Sequence, residues 1–318
     1  MKRSSLIFLI LFFCANVQTF AQTICQSAKP NSAVGAAEKY VYKTYRDKEG
    51  DEKKLHISLV RPADNLPDKK RPLIIGLQGS AFLNTCFSEP CYIKYSENVL
   101  TPYFVAEGFV TASVQYRLNS PFNFQAFKLS DEKLKETQYK AVQDARQAIK
   151  YIFENADRFG VDTNNVFLVG ASAGAITALQ AVYLDDEESS KDLSDEYGKL
   201  EKRENIKGVV SLSGAIDDLS FLKGAEKTPL MIVHGREDQI VPFEKGFYLG
   251  MKKLAPVFGG KAIYDEALKQ TIPVKGYFYD FGHEYPSKFH RDIYKNANDF
   301  IRSYLNCPGE KLQNDKVK

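Results

Sequence analysis

The segment Val166-Phe167-Leu168-Val169-Gly170-Ala171-Ser172-Ala173-Gly174-Ala175 sets a serine between two glycines, after an apolar run and before a run of small residues. A strand that turns sharply into a helix needs this spacing. The turn forces the serine into a strained backbone conformation and leaves its hydroxyl exposed. A side chain at either glycine would collide with the neighbouring strand or helix. The helix that follows also aims its first amides at the place where an oxyanion would form. The chemistry implied is nucleophilic attack by Ser172 on a carbonyl.

Such a serine needs a base, and the base needs an acid to orient it. Both appear downstream, in the chain order serine, acid, base. The strand-like run Leu230-Met231-Ile232-Val233-His234-Gly235 opens into Arg236-Glu237-Asp238, and Gly276-Tyr277-Phe278-Tyr279-Asp280-Phe281 opens into Gly282-His283. Strand carboxyl ends are where open α/β sheets gather their ligands, so the three groups can converge despite their separation in sequence. Ser172, Asp238 and His283 are therefore the candidate catalytic residues. Glu237 and Asp280 are rivals for the acid, and His290 for the base, although His290 falls on a helical stretch. His234 lies within a strand end and reads as structural.

The elements that must position these groups follow from hydrophobic period. Strand-like runs occur at Tyr40–Tyr45, Leu55–Arg61, Leu73–Gln78, Val110–Tyr116, Val166–Val169, Gly208–Leu212, Leu230–His234 and Lys275–Phe281. The first two alternate with polar residues, as near a sheet edge, whereas those at Leu73 and Val166 are almost wholly apolar, as in strands covered on both faces. Between them Tyr139–Phe153 carries a helical stripe of Ala141, Val142, Ala145, Ala148, Ile149 and Ile152. The turn cluster Asp162–Asn165 punctuates the chain before the next strand. Strands alternating with helices predict a mostly parallel sheet with helices on both faces. Two stretches read as insertions able to form lids. One is 119–135, whose Phe122, Phe124 and Phe127 fit the lining of a pocket and equally fit packing into the core. The other is 184–205, highly charged yet keeping Leu193, Tyr197 and Leu200 at helical spacing, which equally fits a solvated surface helix.

Composition bounds the rest. The chain has 318 residues, 44% hydrophobic and 26% charged, with a net charge of +3, ordinary values for a globular protein. That near-neutral balance lacks the electrostatic footprint of a nucleic-acid partner. The amino terminus reads as an export signal over residues 1–21. Lys2 and Arg3 precede an apolar run, Leu6–Phe13, and Thr19-Phe20-Ala21 offers a small-x-small cleavage site. The run is about half of the ~20 residues a membrane span requires. These features predict a secreted or periplasmic protein without stable membrane insertion, folded as one domain over 22–318. Beyond the leader stand Cys25, Cys86, Cys91 and Cys307. An even count in an exported chain reads as disulfides. Three connectivities are open, with Cys86–Cys91 and Cys25–Cys307 favoured. No zinc-ligand spacing and no HExxH is present, so neither a metal nor another cofactor is expected.

Several motifs together resemble the α/β-hydrolase superfamily, within it the carboxylesterase/lipase branch. Leu77-Gln78-Gly79-Ser80-Ala81-Phe82 is similar to the family's His-Gly-Gly-Ala-Phe after the third strand. Val114-Gln115-Tyr116-Arg117-Leu118 is similar to its Asn-Tyr-Arg-Leu. Gln143-Asp144-Ala145, Phe159-Gly160-Val161-Asp162-Thr163-Asn164 and Asp238 to Pro242 match further family motifs, over about residues 55–305. The resemblance implies an α/β-hydrolase fold with a central sheet of about eight strands. It implies an oxyanion hole from the backbone N–H groups of Gly79, Ser80 and Ala173. Gln78 stands where the family has His, and Ser80 where it has a second Gly. A Cys86–Cys91 bridge would stiffen the segment Phe82 to Tyr92, either as a wall of the acyl or alcohol pocket or, equally, as a surface staple with no bearing on substrate.

The expected function is hydrolysis of carboxylic esters through an acyl-enzyme, on a small-molecule or polysaccharide-linked ester, for example acetyl or feruloyl. The alternatives are a serine peptidase of the same fold and a binding protein that keeps the fold without catalysis. Acyl preference and oligomeric state are not legible in the chain.

Overall fold

The computed structural model describes residues 30–63, 70–79, 81–82, 100–118, 130–184, 191–224 and 227–306. The leader, the four cysteines expected to pair, Ser80 and the phenylalanines of 119–129 lie outside these residues.

Eight strands form one sheet: β1 (Val34–Arg46), β2 (Glu52–Pro62), β3 (Arg71–Leu77), β4 (Val110–Val114), β5 (Val161–Ala171), β6 (Gly208–Leu212), β8 (Leu230–Gly235) and β11 (Val274–Tyr279). Their spatial order is β1-β2-β4-β3-β5-β6-β8-β11. β1 and β2 run antiparallel to their neighbours, and every pairing from β4 to β11 is parallel. Each expected strand-like run overlaps one of these eight strands, and those at β3, β4 and β11 end one or two residues sooner than expected. The alternating pattern of β1 follows from its edge position, and the apolar run of β3, buried at every residue, from its place at the centre.

Side chains alternate across the sheet and define two cores. Leu73, Ile75, Leu77, Leu168, Val209 and Ile232 face one side, against α2 (Asp131–Glu154), α4 (Ala173–Tyr183) and α7 (Gly260–Lys269). Ile74, Phe167, Val169, Val210, Met231 and Val233 face the other, against α1 (Leu100–Ala106) and α8 (Ser287–Ser303). Fully buried rings such as Phe104, Phe167 and Phe300 contribute about 1.5–3 kcal/mol each. Shorter helices are α3 (Ala156–Phe159), α5 (Lys191–Tyr197) and α6 (Phe221–Gly224). None of the helices among the described residues is long and apolar enough to cross a membrane.

Three local features depart from the sequence reading. The helix expected at Tyr139 begins at Asp131, where the Ser130 side chain accepts the Lys133 N–H (3.2 Å) and Asp131 and Glu132 favour the first turn. Residues 131–135 are thus helix and not part of an insertion. The cluster Asp162–Asn165 lies inside β5 instead of before it. Val161 pairs with Arg71 and Val166 with Leu73, so the residues between bulge out. Asp162 closes the bulge by accepting from Asn164 N–H (3.0 Å) and Asn165 Nδ2–H (2.7 Å). A small second sheet, β7 (Ala215–Ile216), β10 (Val257–Gly259) and β9 (Lys245–Gly246), was not expected. Its strands are too short to carry a period.

Among its described residues the charged stretch is helical over α5, which stops before Gly198, whose φ is +85°. It leaves from the far end of α4 and returns at the start of β6, both remote from the serine end of the sheet. Its described part lies on the outer side of α2. Gln143 Nε2 donates to the carbonyls of Tyr197, Gly198 and Lys199, Tyr139 donates to Gly198 O (2.7 Å), and the Lys140 ammonium sits 3.9 Å from the Tyr197 ring centroid.

Candidate active site

Ser172 sits where β5 breaks into α4. Its φ of 52° and ψ of −124° place it in a region that a side chain strains to occupy, and its N–H is held by Leu212 O (2.8 Å). The flanking glycines are required by contact. A Cβ on Gly170 would lie 2.3 Å from Gly174 O, and one on Gly174 would lie 2.0 Å from Leu77 O. The turn can therefore pack against its own helix and against the end of β3. Ala173, the first residue of α4, is buried and follows Ser172 directly in the chain.

His283 arrives on the loop between β11 and α8. Its Nε2 is 2.9 Å from Ser172 Oγ and its Nδ1 is 2.7 Å from Asp238 Oδ2. An ionised carboxylate only accepts, so the Nδ1 proton belongs to this bond and Nε2 is left as an acceptor for the serine hydroxyl. Asp238 lies on the turn after β8, with its side chain wholly buried. Its Oδ1 accepts from the backbone N–H of Ile240 and of Val241, both at 2.9 Å. Burial alone would raise its pKa. Hydrogen bonds from His234, His283 and Val241 outweigh burial and hold the carboxyl well below the usual carboxylate range. The acid loop and the base loop are stitched together by Arg236 N–H to Tyr279 O (2.8 Å) and Glu237 N–H to Phe281 O (3.2 Å).

Geometry separates the rivals. Glu237 is exposed, and Asp280 is exposed and paired with Arg236 at 2.6 Å. His290 lies on α8 and donates from Nε2 to Tyr285 O (2.8 Å), away from Ser172. The structure brings together Ser172, His283 and Asp238 and none of the three alternatives.

The loop after β3 lies against the serine. A Cβ on Gly79 would come 2.8 Å from Ser172 Cβ, which puts the Gly79 backbone beside the nucleophile. Ser80, the other expected donor, lies outside the described residues. Tyr116 fixes this loop by donating its hydroxyl to Gln78 O. That residue belongs to a recognised motif, but its partner could not be read from sequence. The same holds for Arg117 and Asp144. Asp144 is fully buried and accepts from Arg117 Nε (2.8 Å), Arg117 N–H (2.8 Å) and Lys43 Nζ (2.6 Å), tying β1, the end of β4 and α2 together. Below the elbow, on the α8 side, a cavity of about 60 Å³ is bordered by Gln78, Ala171, Leu212, Tyr285 and His290. Sequence reasoning also missed Tyr285. Two residues after the base, it donates to Val233 O (3.1 Å), and its hydroxyl lies 2.7 Å from Ser213 Oγ.

A serine on a strained turn after a central strand, with acid and base on later strand ends of this sheet order, defines an α/β-hydrolase. The BD-FAE family model matches residues 61–226, 166 of the 318 residues, and the chain belongs to that family, an esterase family of the α/β-hydrolase superfamily. The match includes Gly79 and Ser172 and ends before Asp238 and His283. Lipase 2 of Geotrichum candidum is 30% identical over 127 residues, 39% of this chain and 21% of that lipase. Para-nitrobenzyl esterase of Bacillus subtilis (strain 168) is 30% identical over 131 residues, 40% of this chain and 24% of its own. Phenmedipham hydrolase of Pseudarthrobacter oxydans is 32% identical over 133 residues, 42% and 24% respectively. The chain thus spans between a fifth and a quarter of the length of these relatives. In three dimensions, Thermogutta terrifontis esterase 2 phosphonylated by cyclosarin superposes with a TM-score of 0.55 at 18% identity, over 87% of this chain and 97% of that one. Its propionate-bound structure gives 0.57 at 17%, over 86% and 97%. That likeness establishes the shared fold.

Proposed function

We propose that this protein is an exported serine hydrolase that cleaves carboxylic esters through an acyl-enzyme. The observation that carries the reading is the continuous chain Ser172 Oγ, His283, Asp238, with bonds of 2.9 and 2.7 Å. Ser172 Oγ attacks the ester carbonyl while His283 Nε2 takes its proton. Negative charge moves to the carbonyl oxygen, where the amides of Ala173, Gly79 and Ser80 receive it. Collapse of the tetrahedral adduct breaks the ester bond, and His283 returns the proton to the leaving alkoxide. Water, deprotonated by His283, then attacks the acyl-serine and releases the acid. Asp238 holds the His283 tautomer and stabilises the imidazolium formed in both halves. No step calls for a metal or an organic cofactor.

Export is supported by the charge and hydrophobic pattern of residues 1–21, and it favours an environmental ester, such as acetyl or feruloyl groups on a polysaccharide. The membership in an esterase family supports ester over peptide cleavage. A fluorophosphonate probe tests the nucleophile without assuming a substrate. One equivalent bound at Ser172, located by mass spectrometry and lost in Ser172→Ala, is expected. Labelling that survives in Ser172→Ala contradicts the assignment.

A further inference from the structure

The catalytic acid accepts from a second imidazole. His234, the penultimate residue of β8, is wholly buried, and its Nδ1 accepts the backbone N–H of Gly260 at the start of α7 (3.1 Å). A ring nitrogen that accepts a hydrogen bond carries no proton, so the proton of this ring sits on Nε2. Nε2 lies 3.3 Å from Asp238 Oδ2 and 3.2 Å from Val241 O, the geometry of one donor shared between two acceptors. Oδ2 is the same oxygen that receives His283 Nδ1–H at 2.7 Å.

We propose that His234 is a positioning residue for the hydrolytic site: from the far side of Asp238 it donates to Oδ2 and holds the carboxylate in the one orientation that serves His283. The proposal rests on the reading of Ser172, His283 and Asp238 as the hydrolytic machinery. With His234 in place each carboxylate oxygen has two donors, Ile240 and Val241 N–H on Oδ1 and the two imidazoles on Oδ2. Rotation about the Cβ–Cγ bond would break all four contacts. Without His234, Oδ2 is held by His283 alone, the group whose position it is meant to fix. The surroundings of His234 are built for this task. A Cβ at residue 260 would stand 2.6 Å from His234 Nδ1, so a glycine there lets the backbone amide reach the ring. Phe243 packs edge-on at 5.7 Å between ring centroids. Among the described residues the titratable groups facing the ring are Asp238 and, beyond it, His283. Lys261, next to Gly260, is turned to Asp265 at 2.6 Å, and Glu244 is exposed.

The test is steady-state hydrolysis of p-nitrophenyl acetate as a function of pH by the wild type, His234→Leu, His234→Gln and Ser172→Ala. Leu keeps bulk and removes the donor, whereas the Gln amide nitrogen stands close to the Nε2 position. His234→Leu is expected to lower kcat about tenfold or more with KM little changed. The acidic limb of its kcat/KM profile moves to lower pH, because a carboxylate no longer held in place stabilises the imidazolium of His283 less well. His234→Gln restores most of the rate and the position of the limb, which a merely space-filling role would not do. A folded His234→Leu enzyme with wild-type kcat and limb overturns the proposal. Should that variant fail to fold, ¹⁵N-histidine NMR of the wild type decides: a proton on His234 Nε2 supports the assignment, and one on Nδ1 overturns it. If Ser172→Ala is active, the hydrolytic reading itself fails. If Ser172→Ala is inactive while His234→Leu behaves as wild type, only the role of His234 fails.

Discussion

The carbonyl oxygen of Leu77 stands 2.0 Å from where a side chain on Gly174 would begin. That closeness joins the loop after β3 to the turn that carries Ser172, since Leu77 ends the strand that delivers Gln78 and Gly79, and Gly174 lies two residues after Ser172. A contact this short with backbone cannot be relieved by a side-chain rotation. Gly174→Ala must therefore push the loop and the helix apart. The expected result is loss of most ester hydrolysis together with a fall of about 2 kcal/mol or more in stability, read by thermal melting. A variant that melts and turns over as the wild type would contradict this packing.

Asp238 is the only one of three candidate carboxylates that reaches His283. Asp238→Asn keeps the shape but replaces one acceptor oxygen by a donor, so His283 loses the partner that fixes its tautomer. A drop in kcat on the order of 1,000-fold or more follows. Glu237→Gln and Asp280→Asn should stay within about twofold of wild type, because neither side chain contacts the site. Parallel kinetics on the three variants check the assignment.

Tyr116 acts through the loop it anchors. Its hydroxyl donates to Gln78 O, one residue before Gly79. Tyr116→Phe removes that bond without removing the ring, which lies 6.4 Å from the Phe82 ring. The freed loop should aim its amides less well, and kcat should fall about tenfold with KM almost unchanged. A rise in KM at constant kcat would place Tyr116 in substrate binding instead.

Two aspartates give opposite pH dependences of stability. Burial pushes the Asp217 carboxyl up to about 6, against the pull of Lys135 and of the Gln180 Nε2–H bond at 3.1 Å. The folded state then binds this proton more tightly than the unfolded chain, whose carboxyl titrates near 3.9. Stability from this group falls as pH rises between about 4 and about 6. Asp238 is held low, so its contribution is present above about 4 and lost as pH falls through its folded value. Asp217→Asn should stabilise the protein by about 1–2 kcal/mol at neutral pH, with the gain vanishing below about pH 4. Melting curves at both pH values check this, and an equal gain at each would contradict it.

The sheet was legible because its strands obey hydrophobic period. β1 alternates at an edge, and β3 and the second half of β5 are apolar at the centre. The elbow was legible because a local steric demand selects Gly170 and Gly174. Relationships that need two distant segments were not legible. Asp144 and Arg117 each belong to a recognised motif, yet nothing in the chain says that they pair 2.8 Å apart. His234 sits in an apolar strand end and reads as structural, and the tautomer of its ring depends on Gly260, 26 residues on. The bulge at Asp162–Asn165 looked like an ordinary turn because Asx hydrogen bonds serve both purposes.

Whether Ser172 is the nucleophile of ester hydrolysis is read most directly from turnover. Purified wild type and Ser172→Ala should be compared for p-nitrophenol release from the acetyl, butyryl and octanoyl esters, with folding of both confirmed by circular dichroism. Turnover by the wild type on at least one ester and a loss on the order of 1,000-fold or more in Ser172→Ala are expected. A folded wild type that releases nothing from any of the three, or a Ser172→Ala variant that retains the rate, would contradict that role of Ser172.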